Sequence, residues 1–259
     1  MLSISTTDNA VKFPPSELLS DEPTLETERH LNQIILLLLS LRWWWQERPD
    51  APEARRNNFY AAGNLTVYYS RHQRRSEYFR GPDFFVVLDT EYKERKSWTV
   101  WEEDGKYPNA IVEILSPTTA SVDRTEKKRI YQNIFRTPEY FWFDPYTLEF
   151  KGFRLNEKSK YRPIEANEYG WLWSEQLELY LGIVAEKLRF MTPEGDLVPA
   201  PNEVAIQEQL QTEAANQQAE AERQRAEAAN ERAEAERQRA EAAEAELARL
   251  RDQIKKQGD

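Results

Sequence analysis

The sequence predicts a mixed α/β or α+β domain with a long charged helix at its C-terminal end. Three observations lead there. Apolar runs of strand length follow one another between residues 58 and 155. Stretches of helical period near 28–46 and 124–136 interrupt them. From about Asn202 the aromatic residues are gone, Pro and Gly nearly so, and Ala, Glu, Arg and Gln take over. Strands in runs with helices at either end suit a mixed β-sheet flanked by helices. The last segment is built from strong helix formers.

The elements follow in chain order. A helix is expected near 28–46, where "IILLLLSLRWWW" is too short to span a bilayer, which takes about 20 residues. Strands are expected near 58–69, 83–88, 97–102 and 110–115, then a helix near 124–136. Strands near 139–143 and 148–155 form a hairpin turned by Asp144-Pro145-Tyr146-Thr147. Pro193-Glu194-Gly195-Asp196 suggests another short hairpin. Residues 1–19 read as an N-terminal extension, 20–200 as the folded domain and 203–256 as the long helix.

Within that helix "AERQRAEAA" occurs at Ala221–Ala229 and again at Ala235–Ala243, a spacing of two heptads. Glu stands three residues before Arg at 220/223, 222/225, 234/237, 236/239 and 246/249. Continuous from Glu203 to Asp252, the rod would be about 75 Å long. One heptad column reads Ala219, Ala226, Ala233, Ala240, Leu247, and its neighbour Glu222, Ala229, Glu236, Ala243, Leu250. Such a seam is small and broken by Glu, so the expectation is a weak coiled coil, tightest at its C-terminal end, with a solvated single helix the even alternative. It allows a homo-oligomer or a docking arm for a partner.

Composition closes several classes. The 259 residues include no cysteine, which removes disulfides, thiolate metal sites and a cysteine nucleophile. No basic start followed by an apolar stretch opens the chain, so a cytoplasmic protein without membrane attachment is expected. The net charge of −10 divides evenly between the tail from residue 203 and the remainder. The folded part is therefore only mildly acidic, and bases gather locally at Arg71, His72, Arg74, Arg75 and Arg80. A basic rim suits a phosphate-bearing substrate.

The stretch "AIVEIL" carries the chemistry. By period two, Glu113 shares a strand face with Ile111 and Leu115, both apolar. A buried carboxylate needs a donor, a base or a cation. Asp83 opens another apolar strand in "GPDFFVVL". Two inward acids at strand ends repel unless they share a cation, and oxygen ligands suit Mg²⁺ or Mn²⁺. Further on, Asp123 and Glu126 read as a capping-box variant, which sets Lys127 in the first helical turn and Tyr131 on the same face.

The ordered set Pro82-Asp83, Ile111-Val112-Glu113-Ile114-Leu115-Ser116-Pro117, Asp123-x-x-x-Lys127-x-x-x-Tyr131 and Glu139-Tyr140-Phe141-x-x-Asp144-Pro145 resembles the Uma-type putative restriction endonuclease family, within the PD-(D/E)XK nuclease superfamily. The resemblance spans roughly residues 20 to 185. It implies a restriction-endonuclease-like fold and Mg²⁺-dependent hydrolysis of DNA phosphodiesters. It also implies that Asp83, Glu113 and the backbone carbonyl of Ile114 hold the metal. The superfamily lysine two residues after the Glu is here Leu115, so the resemblance moves that role to Lys127. An acid from the first helical region completes the set, from Glu22, Glu26 or Glu28, with Glu26 preferred. Arg74, Arg75 and Arg80 would contact flanking phosphates of DNA. Two other classes remain beside this reading. One is a catalytically silent scaffold that assembles through its C-terminal helix. The other is a carbohydrate hydrolase with sugars stacked on Trp98, Trp101, Trp171 and Trp173.

Overall fold

Six strands, four of them with at least four of their residues buried on both faces, form the sheet that carries the rest of the domain. The computed structural model describes residues 27–48, 52–70, 79–116 and 123–257. The chain divides into two units, Met1–Pro201 and Asn202–Asp259. In the first, the strands in chain order are β1 (Phe59–Gly63), β2 (Val67–Tyr68), β3 (Phe79–Arg80), β4 (Phe84–Leu88), β5 (Trp98–Thr99) and β6 (Ala110–Ile114). After them come β7 (Glu139–Phe143), β8 (Phe150–Leu155), β9 (Tyr161–Pro163), β10 (Leu172–Ser174), β11 (Leu179–Val184) and β12 (Lys187–Met191). The main sheet has the order β1-β4-β6-β7-β8-β9, with β10-β11-β12 and β3-β2-β5 as separate three-stranded sheets. Within the main sheet only β6 and β7 run parallel. A parallel pair needs a crossover connection, and the helical segment 123–135 supplies it. The fold is thus α+β with a mixed sheet, as the strand runs predict.

Alternation along the strands separates two cores. Phe84, Val86, Ala110, Val112, Ile114, Phe141 and Phe143 face one side, with the first helix, Glu28–Arg42, and β10–β12 packed over them. Phe85, Val87, Ile111, Leu115, Tyr140 and Trp142 face the other, beneath Val67, Trp98, Ile130, Tyr131 and Phe135. The first helix starts where Thr27 accepts a hydrogen bond from the His30 amide, and it buries Ile34, Leu37 and Leu41.

Some elements depart from the sequence expectations. The helix expected to 46 keeps α geometry to Arg42 and then widens into a π turn over Trp43–Glu47, which buries Trp45 against Phe59. The single strand expected at 58–69 is two strands in two sheets. The chain turns at Asn64, whose φ is 47°, and the Asn64 amide donates to the Asp83 carbonyl. At 97–102 only Trp98–Thr99 is strand, and Val100–Glu102 closes into a 3₁₀ turn. The hairpin of β7 and β8 forms in the expected place, and the Asp144 side chain accepts the amides of Tyr146 and Thr147. At the 193–196 turn the chain folds back so that Leu197 bridges Met191. Trp98 is fully buried and stacks on Tyr60, which removes it as a sugar platform.

The second unit is one helix, Pro201–Gln257, without an apolar face, and from residue 205 to 251 its side chains are exposed. Among the described residues its ion pairs run from Arg to the Glu four residues later, Arg223 to Glu227 and Arg237 to Glu241. That is the weaker orientation of the two. No helix among the described residues is long and apolar enough to cross a membrane.

Close packing at β8 makes a stability prediction. A Cβ at Gly152 would stand 2.7 Å from the Phe141 ring and 2.8 Å from Leu172 Cδ1. Gly152→Ala should cost about 1–3 kcal/mol, read as a lower urea midpoint at unchanged m value. An unchanged midpoint would mean that β10 moves aside freely.

Candidate active site

Glu113 is fully buried, one residue from the end of β6. It points into the core with Ile111 and Leu115, as the alternation predicts. Two donors from the crossover helix meet it. Lys127 Nζ stands 3.0 Å from Glu113 Oε2, and the Tyr131 hydroxyl donates to Oε1 at 2.7 Å. Their four-residue spacing places both side chains on one helical face. Lys127 also reaches the Gly81 carbonyl at 3.4 Å. The helical segment begins at Asp123, and Glu126 pairs with Arg80 at 2.5 Å.

Asp83 joins through strand register. β4 and β6 pair Phe84 with Val112 and Phe85 with Ile111, so the same register carried one residue further sets Asp83 opposite Glu113. Asp83 Oδ2 accepts the Ile114 amide at 2.7 Å, and Oδ1 stands 3.0 Å from His30 Nε2. Burial alone would push the Asp83 carboxyl up. The His30 hydrogen bond, the Lys127 charge, the His30 charge and the Ile114 amide outweigh it and hold the group below the usual carboxylate range. Asp83 is therefore an ionised carboxylate at neutral pH, 9 % exposed at the rim of a buried acid.

His30 is the residue the sequence reading missed. It lies on the helix that packs over the opposite core, yet its ring reaches the end of the sheet. Of the three acids considered nearby, Glu28 is exposed on the first helical turn. Glu22 and Glu26 lie outside the described residues, as do Arg74 and Arg75. Arg80 is described, with its guanidinium engaged by Glu126 and its own Phe79 carbonyl. Leu115 packs in the core, and the ammonium near Glu113 comes from Lys127 instead.

The donor set bears on a metal. Among the described residues no group of three or more His, Asp or Glu side chains is arranged to hold an ion. Two carboxylates at facing register positions are nevertheless what Mg²⁺ takes, since it keeps much of its water and uses one or two protein carboxylates. An ionised carboxylate offers about four acceptor sites, so a group that accepts hydrogen bonds can also ligate an ion.

A buried acid at the end of a mixed sheet, a second acid in register with it, and a lysine delivered by the crossover helix define the arrangement. The model of the family described as Uma2, putative restriction endonuclease, matches residues 15–189, and the chain belongs to that family. Among solved structures, a putative nuclease belonging to DUF820 from Anabaena variabilis ATCC 29413 aligns with a TM-score of 0.40 and 12 % identity, over 60 % of this chain and 76 % of that one. No curated protein matches the sequence.

The charge balance at Glu113 can be tested by stability. Lys127→Met leaves a fully buried carboxylate without its ammonium and should cost about 3–5 kcal/mol in chelator. Adding Glu113→Gln to the same chain should recover most of that loss. Strictly additive losses in urea denaturation would show that the two groups do not act on each other.

Proposed function

We propose that the chain is a divalent-metal-dependent endonuclease that hydrolyses DNA phosphodiester bonds, with its catalytic module in residues 20–200. The observation that carries this is the register pair Asp83 and Glu113 with Lys127 held 3.0 Å from Glu113. Family membership supports the reaction class. In this reading Asp83, Glu113 and the Ile114 carbonyl hold Mg²⁺ or Mn²⁺. When bound, the ion supplies Lewis acidity at a phosphate oxygen and a water of lowered pKa.

The rest falls to the chain's own residues. His30 and the Ile114 amide fix the orientation of the Asp83 carboxylate. Tyr131 does the same for Glu113. Lys127, 17 % exposed, has access to solvent on one side and to Glu113 on the other. It orients the attacking water and offsets negative charge as the oxygen adds to phosphorus and the bond to the leaving sugar oxygen breaks. Arg74, Arg75 and Arg80 are assigned to phosphates further along the strand, and Glu26 to the metal site. The helix at 203–256 is assigned to assembly, with a second copy or a partner.

Plasmid cleavage tests this directly. Wild type should nick supercoiled DNA with Mg²⁺ or Mn²⁺ and not in chelator. Asp83→Asn and Glu113→Gln, with unchanged circular dichroism, should lose the activity by at least about a hundredfold. Glu113→Gln should also lose the metal-binding heat in calorimetry. Equal nicking by wild type and both variants would remove these carboxylates from the reaction.

A further inference from the structure

The row of residues that begins at Asp83 and Glu113 continues across the sheet. Glu113 pairs with Trp142 in β7, and Trp142 with Lys151 in β8. Facing residues in paired strands project to the same side, so Trp142 and Lys151 share the face of Glu113. Neighbouring strands lie about 4.8 Å apart. Trp142 is 8 % exposed, and its indole N–H has no hydrogen-bond partner among the described residues. An unmet buried donor costs about 1–3 kcal/mol and calls for an explanation.

Cations surround this indole. The Arg124 guanidinium lies 5.8 Å from the ring centroid and the Lys128 ammonium 5.5 Å. Arg124 and Lys128 are four residues apart on the crossover helix and flank Lys127, which serves Glu113. The Arg124 Nε–H is also buried without an acceptor, although its Nη2 donates to Glu149 at 2.5 Å. The Lys128 ammonium stands 3.2 Å over the Phe153 ring, and burial pushes its pKa down. Against three cations, counting the exposed Lys151, stand Glu149, paired with Arg124, and Asp144, whose carboxyl the Arg124 charge helps to hold down, while Glu113 on the next strand is met by Lys127.

Two unmet N–H donors and an excess of positive charge fit an anion with several acceptor oxygens. We infer that Trp142, Arg124 and Lys128 form a subsite for the DNA phosphate adjoining the one cleaved at Glu113. The inference rests on the nuclease reading and adds to it a binding position on the crossover helix. The subsite is one strand removed from Glu113, so it holds a neighbouring phosphate and not the scissile one.

The test is equilibrium binding of labelled duplex DNA to the full chain over a range of salt, with Ca²⁺ replacing Mg²⁺. Lys128→Gln and Arg124→Gln should each weaken binding about tenfold and lower the salt slope by about one. Trp142→Phe should weaken binding about tenfold and leave the slope unchanged, since it removes a donor and no charge. A duplex with one neutral methylphosphonate beside the cleaved position should weaken wild type and leave Lys128→Gln unaffected, which separates lost contact from lost fold. Affinities and slopes equal to wild type in all three variants overturn the subsite, even if the protein cuts DNA. The expected slopes with no cleavage under any metal would keep the subsite and remove the nuclease reading.

Discussion

A carboxylate fully removed from water, in the next-to-last residue of a strand, constrains everything around it. Unpaired, the Glu113 charge would cost several kcal/mol, a large fraction of what a domain has to spare. It is held by an ammonium and a phenol from one helix, Lys127 and Tyr131. That helix is also the crossover that lets β6 and β7 run parallel. The connection that the topology requires is therefore the same piece of chain that brings an ammonium and a phenol to the acid. Asp83 depends on the same strand, because its carboxylate takes the amide of Ile114, the residue after Glu113.

The sheet has a core on each side, and the site draws from both. Lys127 and Tyr131 approach from one layer. His30 approaches from the helix of the other layer, at the helix's first turn, and meets Asp83 where the strand begins. At a strand end the sheet no longer separates its two faces, so a side chain from either can reach the same carboxylate. This explains why two acids in facing positions can be kept apart in their partners. Glu113 takes hydrogen bonds from the crossover and Asp83 is met by the first helix and the backbone, while the Lys127 charge acts on both.

Much of this was legible in the sequence. Glu113 declares its burial because both period-two neighbours are apolar, and the spacing of Lys127 and Tyr131 announces a shared face. The helix between two strands near 124–136 and the β7–β8 hairpin follow from helical period and turn residues. Other features were not legible. His30 sits in an ordinary helical N-terminus, and only the three-dimensional path brings it to Asp83. The break at Asn64 falls inside a run of strand-forming residues, where the Gly63-Asn64 turn signal is outweighed by the apolar and aromatic residues on either side. β9, β10 and β11 lie outside the expected elements, since they are short and take their places from pairing, β9 with β8 and β10 with β11. Trp142 reads as core by composition. Its unmet N–H becomes visible only when its neighbours are known.

The row across the sheet changes sign along its length. Asp83 and Glu113 lead with carboxylates, and Trp142 and Lys151 follow beneath Arg124 and Lys128. A phosphate chain laid along that row meets attraction at one end and repulsion at the other. In the proposed reading the basic end would hold a strand by itself. The acidic end can accept a phosphate only when a cation stands between them, because two like charges in a low-dielectric rim repel strongly. On that reading, the same carboxylates that would hold the metal would repel a phosphate in its absence. Binding and cutting, in the proposed reading, fall on neighbouring strands, with Trp142 of β7 beside the helix cations Arg124 and Lys128 and Glu113 on β6.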